Sequence, residues 1–295
     1  MSQFLLDGEG RLRSGWKALA FLAGLAVANA LVYGVLVGLL GLRDLVRGPV
    51  GEVIPAMILL AVSWAALRLE DRPLADLGLR LDLRWARDLI LGLLAGAVLI
   101  ALAASTLWAL GGFTWVPNPA TRGTALLQGG WLFLFVAINE EALFRGYPFQ
   151  RLAEGGLGPW GTQLLFAAFF ALVHLSNPGV QAAGAALKAI TTLNIALAAI
   201  LLGLAYLRTR SLALPIGIHW AWNFVQGNLL GFPVSGTGER LAPLKPVLKD
   251  RPDWLTGGAV GLEGSVACTL ICLVAIALLC FWRDSARPTP EQAEA

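Results

Sequence analysis

The chain of 295 residues contains two histidines, and both lie inside apolar stretches. His174 ends the run FAAFFALVH, and His219 stands in LPIGIHWAWNFV with Asn223 four residues later. In a helix, residues at i and i+4 share one face, so His219 and Asn223 can address the same point. An isolated buried histidine is often only a core residue. Two of them, with none on a polar surface, indicate a shared site.

Three charged residues stand in a third apolar stretch, FVAINEEALFRGY, which contains Glu140, Glu141 and Arg145. A charged side chain at the centre of a membrane span costs about 2.5 to 3.5 kcal/mol, so it usually faces a cavity or a partner. Glu141 and Arg145 are at i and i+4 with the acid first, the favourable order for a helical ion pair. Glu140 is offset from Glu141 by about 100° around the helix and has no partner on its own helix.

The composition excludes a water-soluble fold. Hydrophobic residues make up 57% of the chain and charged residues 14%, whereas soluble domains carry about 25% charged residues. The net charge of +3 does not indicate nucleic-acid binding, because the basic residues lie mostly beside the ends of apolar runs. The lipid bilayer is the partner that this pattern predicts.

The apolar runs predict an all-α polytopic membrane protein, a bundle of about eight transmembrane helices, because about 20 residues cross a bilayer. The connectors are too short for a second core, so residues 1–295 are expected to form a single membrane domain. The predicted helices cover residues 18–42, 53–67, 89–110, 127–147, 159–175, 187–207, 212–230 and 265–282.

The distribution of basic residues predicts the orientation. An even number of spans puts both termini on one side of the membrane, and the connectors on that side hold more lysines and arginines than the others. The positive-inside rule therefore predicts cytoplasmic termini.

Two chemistries fit a site made of these residues. Glu140, His174 and His219 are a ligand set for a catalytic Zn²⁺ that keeps one position open for water, with the second carboxylate as general base. In a metal-free route, Glu140 and His174 activate water while His219 and Asn223 donate hydrogen bonds to the oxyanion. Both routes end in the attack of water on a carbonyl group, and spacing alone does not separate them.

The three motifs resemble those of the CPBP family, the intramembrane proteases that include type II CAAX prenyl endopeptidases and bacterial bacteriocin-processing proteins. That family is marked by E-E-x-x-x-R, F-x-x-x-H and H-x-x-x-N, in this order. The matching residues are Glu140, Glu141 and Arg145, then Phe170 and His174, then His219 and Asn223. The resemblance covers residues 127–230 and makes this stretch the expected catalytic core.

The resemblance implies a water-filled cavity in a helical bundle and an intramembrane endopeptidase, a metalloprotease if Zn²⁺ is bound. Its substrate would be a membrane-associated protein or peptide, and its location a bacterial plasma membrane. Glu140 would activate water, with Glu141, His174, His219 and Asn223 as the other catalytic residues. Arg145 and Phe170 would support them.

Two other classes of protein are alternatives to a protease. A secondary transporter or proton-coupled channel would also place Glu, His and Arg at mid-membrane depth. Such a protein is expected to have two related halves with broken helices, and no such repeat is visible. A membrane scaffold without catalytic activity has no use for an unpaired Glu140 beside two histidines.

Overall fold

The computed structural model describes residues 5–8, 10–238 and 240–282, and the chain in these ranges is mostly helical. The eight predicted apolar runs all lie on helices, joined by short helical segments. The main helices are α1 (Ser14–Tyr33, continued as a π-helix over Gly34–Leu39), α3 (Val53–Arg68), α4 (Leu83–Ala109), α5 (Gly123–Phe144), α7 (Gly158–His174), α9 (Ala185–Thr209), α10 (Ala213–Phe224, continued as a π-helix over Val225–Leu229) and α12 (Val266–Phe281). The short ones are α2 (Arg43–Arg47), α6 (Tyr147–Glu154), α8 (Pro178–Ala182) and α11 (Asp253–Thr256).

Three of the described helices are long and apolar enough to cross a membrane, namely Ser14–Leu39, Leu83–Ala109 and Ala185–Thr209. Two shorter apolar helices, Val53–Arg68 and Val266–Phe281, accompany them. The chain is therefore an integral membrane protein. The number of eight crossings stays a prediction, and so does the cytoplasmic orientation of the termini, of which residues 1–4 and 283–295 lie outside the described ranges.

The ends of two helices differ from the sequence-based prediction for identifiable reasons. Helix α4 begins at Leu83 rather than at residue 89, because the side chain of Asp82 accepts a hydrogen bond from the backbone N–H of Trp85 at 2.8 Å. Such an N-cap satisfies a donor that the first turn would leave free. Helix α5 ends at Phe144 rather than at residue 147, and the short helix α6 starts at once with Pro148 in its first turn.

A small sheet corrects the expectation of a purely helical fold. Strands β1 (Phe113–Pro117) and β2 (Leu244–Leu248) pair antiparallel, with Phe113 opposite Leu248. The two strands are separated by more than 100 residues along the chain. The sheet ties the connector after α4 to the connector after α10 at one end of the bundle.

Helices α4 and α10 cross at backbone contact through glycines. A Cβ atom added at Gly96 would lie 2.2 Å from the carbonyl oxygen of Ile218. One added at Gly92 or at Gly217 would lie 2.4 Å from a backbone oxygen of the facing helix. Small residues at such a spacing let two membrane helices approach closely. Because His219 follows Ile218, this crossing sets the position of one of the two histidines.

We expect Gly96→Ala to destabilise the protein by about 1 to 3 kcal/mol, the usual cost of forcing extra atoms into a packed interior. The measurement is thermal unfolding of the purified protein in detergent. Gly24→Ala on α1 is the matched control, since a Cβ there meets nothing within 4 Å. An alanine at that helical position should be neutral or slightly stabilising. Equal melting temperatures for the two variants would contradict the close crossing.

A second set of contacts, centred on Glu70, joins α1, α3 and α6. The Glu70 carboxylate, just after α3, accepts a hydrogen bond from the Tyr147 hydroxyl at 2.7 Å. It also lies 3.1 Å from Lys17 Nζ and 2.8 Å from Arg151 Nη1. Burial alone would raise the pKa of Glu70, but these hydrogen bonds and positive charges bring it below its ordinary value.

Glu70→Gln should therefore lower the melting temperature at neutral pH. A carboxyl group whose pKa is lowered by folding adds stability above its unfolded pKa, near 4.5, and this stability is lost as the pH falls through the folded pKa. The difference between wild type and Glu70→Gln should shrink below about pH 4.5. Thermal unfolding across this pH range tests it, with Asp250→Asn at an exposed position as the control. A difference that grows in acid would rule the explanation out.

Candidate active site

The centre of the site is a buried chain of three charged or polar side chains. Glu141 is fully buried near the end of α5, and its Oε1 accepts a hydrogen bond from Arg145 Nη1 at 3.0 Å. Arg145 also donates from Nη2 to the backbone oxygen of Ala199 on α9, at 2.8 Å. Its guanidinium lies 5.3 Å from the centre of the Phe170 ring. The ion pair that the i, i+4 spacing predicted is present, and it holds α5 against α9.

The same Glu141 oxygen fixes His219. Nδ1 of His219 lies 2.8 Å from Glu141 Oε1, and because a carboxylate only accepts, Nδ1 carries the proton. Nε2 then points away from Glu141 and lies 3.8 Å from Oε2 of Glu140. This distance is too long for a direct hydrogen bond and within reach of one bridging water. Glu140 Oε2 is buried and has no hydrogen-bond partner among the described residues.

The second histidine is oriented by its own helix. His174 ends α7, and its Nδ1 donates to the backbone oxygen of Phe170 at 2.7 Å, which leaves Nε2 free of that contact. The rings of Phe170 and His174 lie 4.5 Å apart at a tilted angle. Phe170 also meets the His219 ring edge-on at 6.3 Å. Phe170 therefore packs between the two imidazoles and limits how either ring can turn.

One cavity of about 210 Å³ brings the functional candidates together. Glu140, His174, His219 and Asn223 all line it, as does Phe170. Glu141 does not line it, because it is covered by His219 and Arg145. The structure thus separates two adjacent acids: Glu140 faces the cavity, while Glu141 contacts the side chains behind it.

A second acid lines this cavity beside Glu140, and the sequence analysis missed it. Glu263 precedes α12 and lines the cavity, although it is buried at 8% exposure. Its carboxylate accepts hydrogen bonds from Gln226 Nε2 at 3.1 Å and from the hydroxyl and backbone N–H of Ser235. Burial raises the pKa of the Glu263 carboxyl, although these hydrogen bonds and the nearby charge of His174 oppose the rise. Glu263 holds the loop around Ser235 against the cavity.

One further cavity residue, Asn194, could have been found from the sequence. Asn194 lines the cavity from α9 and donates to the backbone oxygens of Glu263 and Ser265, at 2.8 and 2.9 Å. It stands inside an apolar run, so the rule that singled out Glu140 also applies to it. Glu263 gave no such signal, because it lies in a connector where acids are common. Only the folded chain brings it to the site.

The donor set does not form a preassembled zinc site. Glu140 Oε2 and His219 Nε2 lie close to each other, but within the described residues no group of three His, Cys, Asp or Glu side chains is arranged to hold a metal ion. His174 Nε2 does not complete a three-ligand set in this arrangement. The Zn²⁺ ion, with Glu140, His174 and His219 as its ligands, stays a prediction from the sequence, and the reaction proposed for this site uses the side chains alone.

Residues 122–225 match the family described as type II CAAX prenyl endopeptidase Rce1-like. The match contains every residue of the three motifs, and it confirms the resemblance that they indicated. It leaves out α4, the loop around Ser235, and Glu263. Neither a curated protein nor a solved structure matches the chain.

Arg145→Ala should destabilise the protein by about 3 to 5 kcal/mol, because it leaves the Glu141 charge buried and unpaired. We expect a lower folded yield and a lower melting temperature in detergent. The matched variant is Arg145→Ala with Glu141→Gln, which removes both charges and should recover part of the lost stability. If Arg145→Ala melts like the wild type, the ion pair is not what holds α5 and α9 together.

Proposed function

We propose that this chain, whose residues 122–225 belong to the type II CAAX prenyl endopeptidase Rce1-like family, is an intramembrane endopeptidase. It would hydrolyse a peptide bond of a membrane-associated protein or peptide. The observation that carries this proposal is the unpartnered oxygen of Glu140, buried in a cavity 3.8 Å from His219 Nε2. A carboxylate so placed can take a proton from a water molecule that bridges the two groups.

The reaction follows from the positions of the side chains. Glu140 removes a proton from water, and the hydroxide attacks the carbonyl carbon of the substrate peptide bond. His174, whose Nε2 takes no part in the hydrogen bond to Phe170, assists in holding that water. The oxygen of the carbonyl becomes negative, and hydrogen bonds from His219 Nε2–H and the Asn223 amide stabilise it. Glu140 then returns the proton to the leaving nitrogen as the C–N bond breaks.

Glu141 takes part in this scheme through His219. To donate from Nε2 while Nδ1–H is bonded to Glu141, the imidazole must hold protons on both nitrogens. The Glu141 carboxylate at 2.8 Å supplies the negative charge that a doubly protonated ring requires. We therefore propose Glu141 as a residue that positions and charges His219, and Arg145 as the residue that keeps Glu141 in place.

The walls of the cavity favour this chemistry. Leu132, Val136, Ile195, Leu201 and Ile218 line it beside the polar groups. Apolar walls keep the local dielectric constant low, so hydrogen bonds to a developing negative charge are stronger than in water. They also accommodate an apolar substrate segment, as expected for a membrane-associated peptide.

The arrangement in the cell is also part of the proposal. The chain would form one membrane domain whose catalytic core is residues 127–230, in a bacterial plasma membrane, with both termini in the cytoplasm. The cavity would then open to substrates from the cytoplasmic half of the bilayer.

Glu140→Gln keeps the size of the side chain and removes the base, so it should reduce turnover by about 10² to 10⁴ without unfolding the protein. The assay is the cleavage of a panel of membrane-tethered peptides by purified protein in detergent or nanodiscs. Glu154→Gln, outside the cavity, is the matched control and should cleave at the wild-type rate. Glu140→Gln cleaving as fast as the wild type would contradict the proposal and favour the transporter.

His219→Ala and Asn223→Ala separate the two hydrolytic routes. In the metal-free route, chelators leave the rate unchanged, elemental analysis of active protein finds no zinc, and Asn223→Ala loses about 10² to 10³ through the oxyanion contact. If zinc were required, chelators would abolish cleavage and His219→Ala would lose metal and activity together. That second result would contradict the metal-free reaction proposed here.

A further inference from the structure

Arg240 is the one arginine or lysine that lines the active-site cavity among the described residues. It lies in the connector after α10, outside the segment that matches the family model. Its guanidinium stacks on the ring of Phe133, 5.0 Å from the ring centre. Glu52 acts on it through charge, but no carboxylate in the described ranges forms a salt bridge with it.

The Arg240 guanidinium has one N–H donor that lacks a hydrogen-bond acceptor among the described residues. Its Nε–H is buried and has no acceptor in the part of the chain that the structure describes. An unmade hydrogen bond from a buried charged group costs free energy, so such a group usually has a partner when the protein works. Burial also lowers the pKa of Arg240, although the charge of Glu52 opposes this change.

The chemistry of arginine identifies that partner. The guanidinium, a planar fork of N–H donors, lies over the Phe133 ring and lines this cavity as well as a second pocket that contains Asn118 and Lys245. This fork matches the two oxygens of a carboxylate, and the resulting bidentate pair is strong and directional.

The charges of the cavity also orient such a ligand. Glu140 and Glu263 line the cavity together with Arg240. A substrate carboxylate is repelled by the two acids and attracted by Arg240, so one orientation of the peptide is favoured. Because Arg240, Glu140 and His219 line the same cavity, a peptide held by its carboxylate at Arg240 lies in the cavity that contains the proposed reacting groups.

We propose that Arg240 determines substrate specificity by binding a carboxylate of the substrate close to the peptide bond that is cleaved. This inference rests on the endopeptidase function proposed above. The carboxylate has two sources, the free C-terminus of the substrate or an acidic side chain, and both present the same group to the guanidinium.

The test uses matched membrane-tethered peptides: one with a free C-terminus, the same peptide with an amidated C-terminus, and versions in which each Asp or Glu is replaced by its amide. We expect the wild type to cleave the carboxylate-bearing peptide with a kcat/KM about 10- to 100-fold higher than its neutral match, since a charged hydrogen bond contributes about 1.5 to 3 kcal/mol. Amidation abolishes the preference if the terminus is bound, and Asp→Asn or Glu→Gln does so if a side chain is bound.

Arg240→Gln should lose this preference mainly through KM, while the neutral peptide is cleaved as by the wild type. Arg240→Lys, which keeps the charge without the fork, should restore part of it. Lys249→Gln removes a basic residue that does not line the cavity and should leave the preference intact. A melting curve for each variant separates lost recognition from lost folding.

A binding measurement separates this inference from the proposed function. Affinity for the same peptides is measured with two proteins that are not expected to cleave them. One is the single variant Glu140→Gln, and the other is the double variant Glu140→Gln with Arg240→Gln. Tighter binding of the carboxylate-bearing peptide that depends on Arg240 supports the inference even if no peptide is cleaved. Cleavage that Glu140→Gln abolishes but that ignores the carboxylate would overturn the role of Arg240 and leave the endopeptidase intact.

Discussion

The buried contact of Arg145, Glu141 and His219 is the constraint on which the rest of the site depends. Adjacent residues on a helix point about 100° apart, so Glu140 and Glu141 cannot face the same surroundings. Oε1 of Glu141 accepts hydrogen bonds from Arg145 and from His219. The bond to His219 orients the imidazole so that Nε2 faces Glu140. Oε2 of Glu140 has no hydrogen-bond partner among the described residues and lies 3.8 Å from His219 Nε2. Glu141 is thus held by Arg145 and His219 through Oε1, whereas Glu140 faces the cavity.

The cavity is assembled from two kinds of sequence. The segment that matches the family supplies the residues that we propose to react, from Glu140 on α5 to Asn223 on α10. The opposite wall comes from later residues, including Ser235, Arg240 and Glu263. In the proposed mechanism, the residues that react and the residue that selects the substrate lie in different segments of the chain. Substitutions in one segment can therefore occur without substitutions in the other. The hydrogen bonds of Glu263 link the two parts, because they fix the later loop to α10 through Gln226.

The helices and the motif residues could be predicted because both depend on local signals. Long apolar runs specify helices, and a charge inside such a run stands out. Helix α6 and the pairing of β1 with β2 could not be predicted. Helix α6 is eight residues long and is stabilised by contacts with Glu70, and the strands pair across a large separation in sequence. Glu263 was missed for the same reason, since only three-dimensional packing brings it beside Ser235.

The glycine crossing of α4 and α10 extends the constraint beyond the motifs. Helix α4 contributes no side chain to the cavity, yet its backbone fills the surface against which His219 is placed. If the stretch 127–230 were cut out and expressed alone, α10 would expose a groove shaped for another helix. The smallest autonomous unit of this protein is therefore larger than the stretch that carries its recognisable residues. An evolutionary exchange of active-site segments between relatives would have to carry the matching α4 along.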